Sequence, residues 1–412
     1  MVLAAAVCIA SSSLATSPAH GSRARRTVHS YALAPGITLR TVRYAKPNQV
    51  RMLIIQPQLA PSLEQVTADD FGRWVLISRL AVQNGSFAAV NGDFGSFERK
   101  PSHWNLVDGE LRTSGVMANQ AIAWNKGGRR AWAGTPPRKI LGKGPTGAFK
   151  VDSFNAGQAG AAEIAAFTQV GGSKEKPGSN GVCSVKMIPA APMRWSNATK
   201  SGIKRVYTVT AVPACGSSVV FGSTAPPGEV ILQVRSSCAC AKTITDLVRD
   251  DKVRLIWSSW PGAVDQIGAQ PELIHHGVNV APGPHTSRNY FYGKNPRTGV
   301  GVTKGCTDQL TTTDCIVYVI TVDGRQAGWS VGMTLPQFAN LFLKPNPPAY
   351  DAVNLDGGGA TEMWVSTRNP AYCQSSPIAG GCLVDRPAEG HERPTISSLQ
   401  VLNGSDTDLT LP

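Results

Sequence analysis

Apolar positions in this chain fall mainly into short runs of four to eight residues, and turn residues close nearly every run. Residues 37–42 and 50–55 alternate apolar with polar side chains, as paired strands with one buried face do. Residues 87–90 form an unbroken apolar run, the pattern of a strand buried on both faces. Val107-Asp108-Gly109-Glu110-Leu111 sets an Asp-Gly pair between apolar ends, which predicts a tight hairpin. Residues 206–212 and 230–234 add strands in the middle, near the turn Ala225-Pro226-Pro227-Gly228. Helical spacing is scarcer: one helix is predicted from residue 65 or 69 to residue 82, and another begins at Leu335.

The stretch around that second helix organises the chain. Residues 316–322 are β-branched and aromatic and stop at Asp323-Gly324, so they read as a buried strand. Thr334 can cap the next element, Gln337 can reach back, and Pro336 sits where a missing N–H costs little. Leu335, Phe338, Ala339, Leu341 and Phe342 give an apolar helix face, which Pro345, Pro347 and Pro348 end. Residues 352–355 return as a strand. Strand, helix and strand within roughly 40 residues predict a crossover unit with both strands in one sheet and parallel. Two acidic loops then share the carboxyl edge of that sheet, where ligands bind in such folds: Asp323-Gly324-Arg325 and Asp356-Gly357-Gly358-Gly359. A simple turn needs one glycine, whereas three let a ligand approach the backbone closely. Arg297, in Asn295-Pro296-Arg297-Thr298-Gly299-Val300-Gly301, offers a planar, permanently charged fork suited to phosphate. Arg325 offers the same fork or a surface ion pair.

Val322-Asp323-Gly324-Arg325, Ser330-Val331-Gly332-Met333-Thr334-Leu335, Asn354-Leu355-Asp356-Gly357-Gly358-Gly359 and Met363-Trp364-Val365 together resemble the phosphodiester glycosidase family. Asn91-Gly92-Asp93-Phe94 is similar to a turn of that family, with Asp93 standing where glycine is usual. Glu272-Leu273-Ile274 with Gly277-Val278-Asn279-Val280 resembles its second hairpin, and Arg393-Pro394-Thr395-Ile396 its closing motif. The resemblance implies cleavage of a glycosyl-1-phosphodiester at the anomeric carbon, which releases a sugar and a phosphomonoester. Such a reaction needs a carboxylate at the anomeric carbon, a second acid or base for water, and donors for the phosphate. Asp356 and Asp323 fill the first two roles. Arg297, Thr298, Arg325, Ser330 and the backbone of Gly357, Gly358 and Gly359 are expected at the substrate, with Asn91, Asp93 and Asn354 beside them. Glu362 stands where the family carries Ser or Thr and ranks lower.

Composition changes this picture little. With 42% apolar residues among 412, the core can be large, and Gly 42 with Pro 29 implies many turns. The net charge of +13 would suit an anionic envelope or phosphate-bearing glycan. Neither a basic-aromatic platform nor a recognition-helix pattern supports nucleic-acid binding. Residues 1–19 are small and apolar over a stretch too short to span a bilayer, so a secretory signal is expected, with a secreted or cell-envelope location. Codon-favoured Ala, Gly, Arg and Pro point to a GC-rich bacterial source. Without Cys8 eight cysteines remain, an even number consistent with disulfides. Cys306 with Cys315 and Cys373 with Cys382 would close short loops, leaving Cys183, Cys215, Cys238 and Cys240 to pair among themselves. Zinc at Cys238 and Cys240 is not expected, since no second Cys or His pair stands at a suitable spacing. His275 and His276, adjacent on a predicted strand, should point to opposite faces and make no metal pair. The expectation is therefore an α+β fold: a single mixed-sheet domain over residues 30–412, matching the family best at 270–402, with a C-terminal crossover, a β-rich middle and disulfide-stapled loops. No cofactor is required, though a divalent cation stays open, and no oligomeric state is predicted. Two other classes remain: a metal-assisted phosphodiesterase using Asp323 and Asp356, and a non-catalytic carbohydrate-binding envelope protein.

Overall fold

A computed structural model describes residues 26–403, apart from 47, 60, 68–72, 96–99, 116, 118–119, 158–159, 161–162, 172–180, 193–197, 200–201, 212, 216–224, 226–227, 285–288, 308–313, 368 and 375–379. The expected signal segment, 1–19, lies outside the described residues.

Four sheets, not one mixed sheet, make up the fold. This corrects the α+β expectation to a β-rich, multi-sheet architecture with few helices. The physical reason lies in the connections: most runs are joined by tight turns, which return the chain beside itself antiparallel. Among the described residues, only Ser153–Phe154 and Ile164–Thr168 pair in parallel. The Asp108-Gly109 hairpin forms as expected, with both turn residues left-handed at φ 50° and 77°.

The eight-stranded sheet carries the crossover. Its order is Thr27–Ala34, Ile37–Tyr44, Asn48–Ile55, Val317–Val322, Arg297–Val302, Asp351–Asn354, Glu272–His275 and Val278–Asn279. The strands before and after the helix run in one direction, as expected, but they are not neighbours. Arg297–Val302 lies between them and pairs antiparallel with each. The helix Leu335–Phe342 crosses this middle strand, and side chains on Gly299 and Gly301 would collide with the rings of Phe338 and Phe342. Both rings are wholly buried, each contributing about 2–3 kcal/mol of apolar burial. Gln337 Oε1 accepts the Thr334 N–H at 3.1 Å, so the predicted reach-back exists.

The opposite face of this sheet packs on two five-stranded sheets through one apolar core that includes Leu53, Val90, Trp124, Val300, Val353 and Val401. One of these sheets runs Cys382–Leu383, Met363–Val365, Ala88–Asn91, Ser397–Asn403 and Pro61–Thr67. The last of these overturns the predicted start of the first helix. Residues 65–67 pair with Ser397, Ser398 and Leu399 in a strand, and the helix is confined to Ile77–Gln83. Pairing with a partner more than 300 residues away outweighed local propensity. Residues of the middle section form a ten-stranded sheet with its own core, to which the hairpin adds Leu106 and Leu111. Trp257 Nε1 donates to Gly109 O at 3.0 Å and joins the two.

Cys306–Cys315 and Cys373–Cys382 are disulfides, as anticipated. The four cysteines left open pair as Cys183–Cys215 and Cys238–Cys240. Among the described residues no helix is long and apolar enough to cross a membrane.

Candidate active site at the glycine turn

Register places the expected groups at one edge. Arg297 opposes Val322, and Gly299 opposes Asn354, so Asp323 and Asp356 follow strand ends on either side of Arg297. Shared position does not give shared surroundings, however, and the two carboxyls belong to different clusters.

Asp356 sits where three segments converge. Its N–H donates to Gly92 O at 3.2 Å, and its carbonyl accepts from Asn91 Nδ2 at 2.8 Å. Asn91 is fully buried. Its Oδ1 accepts from Thr298 Oγ1 at 2.8 Å and from the Glu362 N–H at 3.2 Å. One amide thus ties the Arg297 strand, the glycine turn and the 363–365 strand together. Asp356 keeps partial exposure, and its Oδ1 accepts the Gly357 N–H at 2.8 Å. Burial raises its carboxyl to about 7, the Gly357 N–H and Arg393 oppose that rise, Asp93 adds to it, and His103 opposes it. Near neutral pH, therefore, Asp356 exists in both forms.

Asp93 and His103 form a buried pair beside it. His103 Nδ1 hydrogen-bonds Asp93 Oδ1, and the His103 N–H donates to Asp93 Oδ2 at 3.2 Å. Asp93 N–H in turn donates to Ser397 Oγ at 2.9 Å. Any side chain on Gly268 would strike His103. Phe94 packs edge-on to His103 and faces Phe291, with ring centroids 5.6 Å and 6.2 Å apart; both phenylalanines stay partly exposed.

The three glycines are explained by what crowds them. A side chain on Gly357 would come 2.9 Å from Pro296 O, and one on Gly358 would come 3.0 Å from Arg325 Nη2. One on Gly359 would meet Glu389 and lie 2.9 Å from Arg393 Nη1. Two guanidinium groups therefore border the turn. Arg325 is exposed and donates through Nε and Nη2 to Asn295 Oδ1 at 3.1 and 2.9 Å.

Arg297, the preferred phosphate ligand from sequence, has other commitments. Its Nε donates to Met333 O at 3.0 Å, and its Nη2 to Phe291 O and Gly293 O at 2.7 and 2.8 Å. Burial, with Arg325 adding to it, lowers this guanidinium to about 10. Arg297 thus organises the 291–293 loop, while Arg325 and Arg393 lie at the turn itself.

Asp323 is 2% exposed and is held by protein groups. Trp329 Nε1 donates to its Oδ2 at 2.7 Å, the Arg386 N–H to its Oδ1 at 3.3 Å, and Arg51 Nη2 lies 3.5 Å away. Burial raises it, with Arg51 opposing the rise, and the neighbouring Asp385, fully buried, is raised well above the usual range by burial and by Asp323. None of these partners is shared with Asp356. Ser330 Oγ donates to Asp323 O and accepts the Gln49 N–H, so it shapes this loop. Asn354 Nδ2 donates to Gln270 O and Leu355 O at 2.8 and 2.7 Å, which fixes the strand end. Glu362 is fully buried, accepts the Arg393 N–H, and burial raises it to about 10, so it is neutral at pH 7.

His103 had no sequence signal of its own, since its role follows from contacts across the fold. Arg393 was visible only as part of the closing motif. A cleft of about 430 Å³ opens nearby, beside Tyr44, Lys46, Lys294, Met333 and Lys344, but contains none of these carboxyls. The convergence of reactive groups, not this cleft, marks the site.

Residues 221–401 match the phosphodiester glycosidase family. That segment includes Arg297, Asp323, Arg325, Asp356 and Arg393. Asn91, Asp93 and His103 precede the matched segment and reach it through the fold. A Synechocystis protein described as hypothetical is similar over 92% of this chain and 64% of its own, with TM-score 0.64 and 18% identity. This chain therefore spans less than two thirds of that protein's length. A protein of Burkholderia pseudomallei K96243 described as exported aligns over 93% of this chain and 98% of its own, with TM-score 0.62 and 15% identity. These two likenesses show the fold. The catalytic domain of zebrafish N-acetylglucosamine-1-phosphodiester alpha-N-acetylglucosaminidase aligns over 93% of this chain and 85% of its own at TM-score 0.42 and 13% identity. No curated protein matches.

Proposed function

We propose that this chain is a secreted hydrolase that cleaves the anomeric C–O bond of a glycosyl-1-phosphodiester. Water supplies hydroxyl to the anomeric carbon, and the phosphate departs as a phosphomonoester. The observation that carries this reading is the turn itself: Asp356, a partly exposed residue, sits beside a glycine bend bordered by Arg325 and Arg393. Positive charge placed there stabilises the departing phosphate, and Asp356 in its ionised form stabilises the oxocarbenium-like centre. Phosphate is already a good leaving group, so a strong acid beside it is not required. The Asp93–His103 pair sets the electrostatics around Asp356, and Phe94 and Phe291 offer apolar faces for a sugar ring. Asp323 and Arg297 hold the loops that present these groups.

Hydrolysis of sugar-1-phosphodiesters in oxygen-18 water tests the reading directly. Label in the sugar hydroxyl, and its loss with Asp356→Asn, is the expected result. Label in the phosphate would instead establish phosphodiesterase chemistry at phosphorus. Absence of turnover on every sugar tried, with affinity for a phosphoglycan retained, would favour a binding protein.

A further inference from the structure

We propose that His275, His276 and Asp351, backed by Glu272, form a divalent-metal site of the zinc class at the edge of the eight-stranded sheet. The site is independent of the glycine turn. Asp351 and Asp356 flank opposite ends of one strand, about 17 Å apart at ~3.3 Å per residue.

Sequence reasoning places adjacent histidines on opposite faces, and the structure overturns that. His275 ends its strand, whereas His276 opens the turn with φ 49°, followed by Gly277 at φ 81°. The left-handed backbone swings the second ring to the side of the first, and the two imidazoles stack with centroids 4.0 Å apart and planes 22° apart. Asparagine or glycine would adopt this turn at less cost.

A carboxylate from the neighbouring strand completes the group. Asp351, 7% exposed, accepts the His276 N–H on Oδ1 at 2.9 Å, and that oxygen is 4.0 Å from His275 Nδ1. One donor atom from each of His275, His276 and Asp351 lies within 4.8 Å of the others. Donors bound at ~2.0–2.2 Å in tetrahedral geometry stand about 3.5 Å apart, so closure requires roughly 1 Å of movement. Both imidazoles are exposed and can make it. Tyr350 stacks on His276 at 4.8 Å and orients that ring. Glu272 Oε1 lies 3.0 Å from the same His275 Nδ1 and restrains that ring beside Asp351. Two imidazoles and one carboxylate suit zinc, with one coordination position left for water or another group. The second carboxylate cluster, Glu64, Asp108 and Asp265, lacks histidine and offers only hard oxygen donors.

Zinc sulfate titrated calorimetrically into the tag-free, chelator-washed full chain tests the site. One zinc per chain is expected. The pair His275→Ala and His276→Asn should weaken binding at least 100-fold, with asparagine chosen to keep the turn. Asp351→Asn should weaken it about tenfold, and Asp108→Asn and Asp356→Asn should leave it unchanged. Cobalt added in place of zinc should give visible absorption that the double variant loses. Equal zinc affinity in the wild type and the folded double variant, or no stoichiometric binding by the wild type, overturns the proposal. Either result leaves the oxygen-18 test of hydrolysis untouched.

Discussion

Asp356 and Asp323 make an instructive pair. Both follow strands that flank Arg297–Val302, both emerge at one edge of the sheet, and burial raises both. Their partners differ. Protein donors enclose Asp323: an indole, a backbone N–H and the Arg51 guanidinium. Asp356 keeps partial exposure beside a bare glycine bend, with cations at the rim. An edge position therefore does not make a carboxyl reactive. A carboxyl whose oxygens are occupied holds loops, and one left partly open can meet a ligand.

Replacing each carboxyl separates these roles most sharply. Asp356→Asn should lower kcat by about 10³-fold or more while the melting temperature stays near wild type. Asp323→Ala should cost about 3 kcal/mol of stability by stranding Arg51, and its folded fraction should keep most of its turnover. Equal loss of turnover from both at unchanged stability would return Asp323 to the reaction.

The arginines extend the contrast. Arg325→Ala and Arg393→Ala should each lower kcat/KM by about 10–100-fold, in keeping with the loss of ~1.5–3 kcal/mol of charged hydrogen bonding. Arg297→Ala should instead lower the denaturation midpoint, because three backbone carbonyls lose their donor. A kcat/KM change confined to Arg297 would reverse this assignment.

Covalent support comes next in size. Replacing Cys306 and Cys315 together with serine should cost about 2–3 kcal/mol, the chain entropy of so short a loop. Denaturant unfolding of the double variant measures it.

The smallest effects concern pH. If ionised Asp356 does the work, kcat/KM should rise as pH increases through about 7. Because Asp93 helps raise Asp356, Asp93→Asn should move that rise to lower pH, by about one unit or less. Stability should run the other way. Asp356 and Glu362 bind protons more tightly folded than unfolded, so protonated carboxyls stabilise the fold below about pH 4. That contribution is lost as pH rises towards 7 for Asp356 and towards 10 for Glu362. Glu362→Gln, which mimics the neutral acid, should flatten the fall of melting temperature between pH 5 and 9. A variant as pH-sensitive as wild type would show that Glu362 is ionised when folded.

Much of the framework was determined locally. Turn pairs such as Asp108-Gly109 fix backbone conformation over four residues, and Thr334, Pro336 and Gln337 fix a helix start, so their physics is written in adjacent side chains. The alternating runs likewise announced strands, and the order of motifs announced the family resemblance that residues 221–401 carry. What sequence could not decide was which strand lies between which. The Arg297 strand entered between two others because Gly299 and Gly301 leave room for Phe338 and Phe342, a fit that exists only once helix and sheet meet. The same limit hid His103, which becomes part of the site through Asp93 and Gly268, and it misplaced His276, whose ring direction depends on one left-handed residue. Identity of a side chain is local, but its partners, and hence its proton affinity and its access to a ligand, are set by segments hundreds of residues apart that only packing brings together.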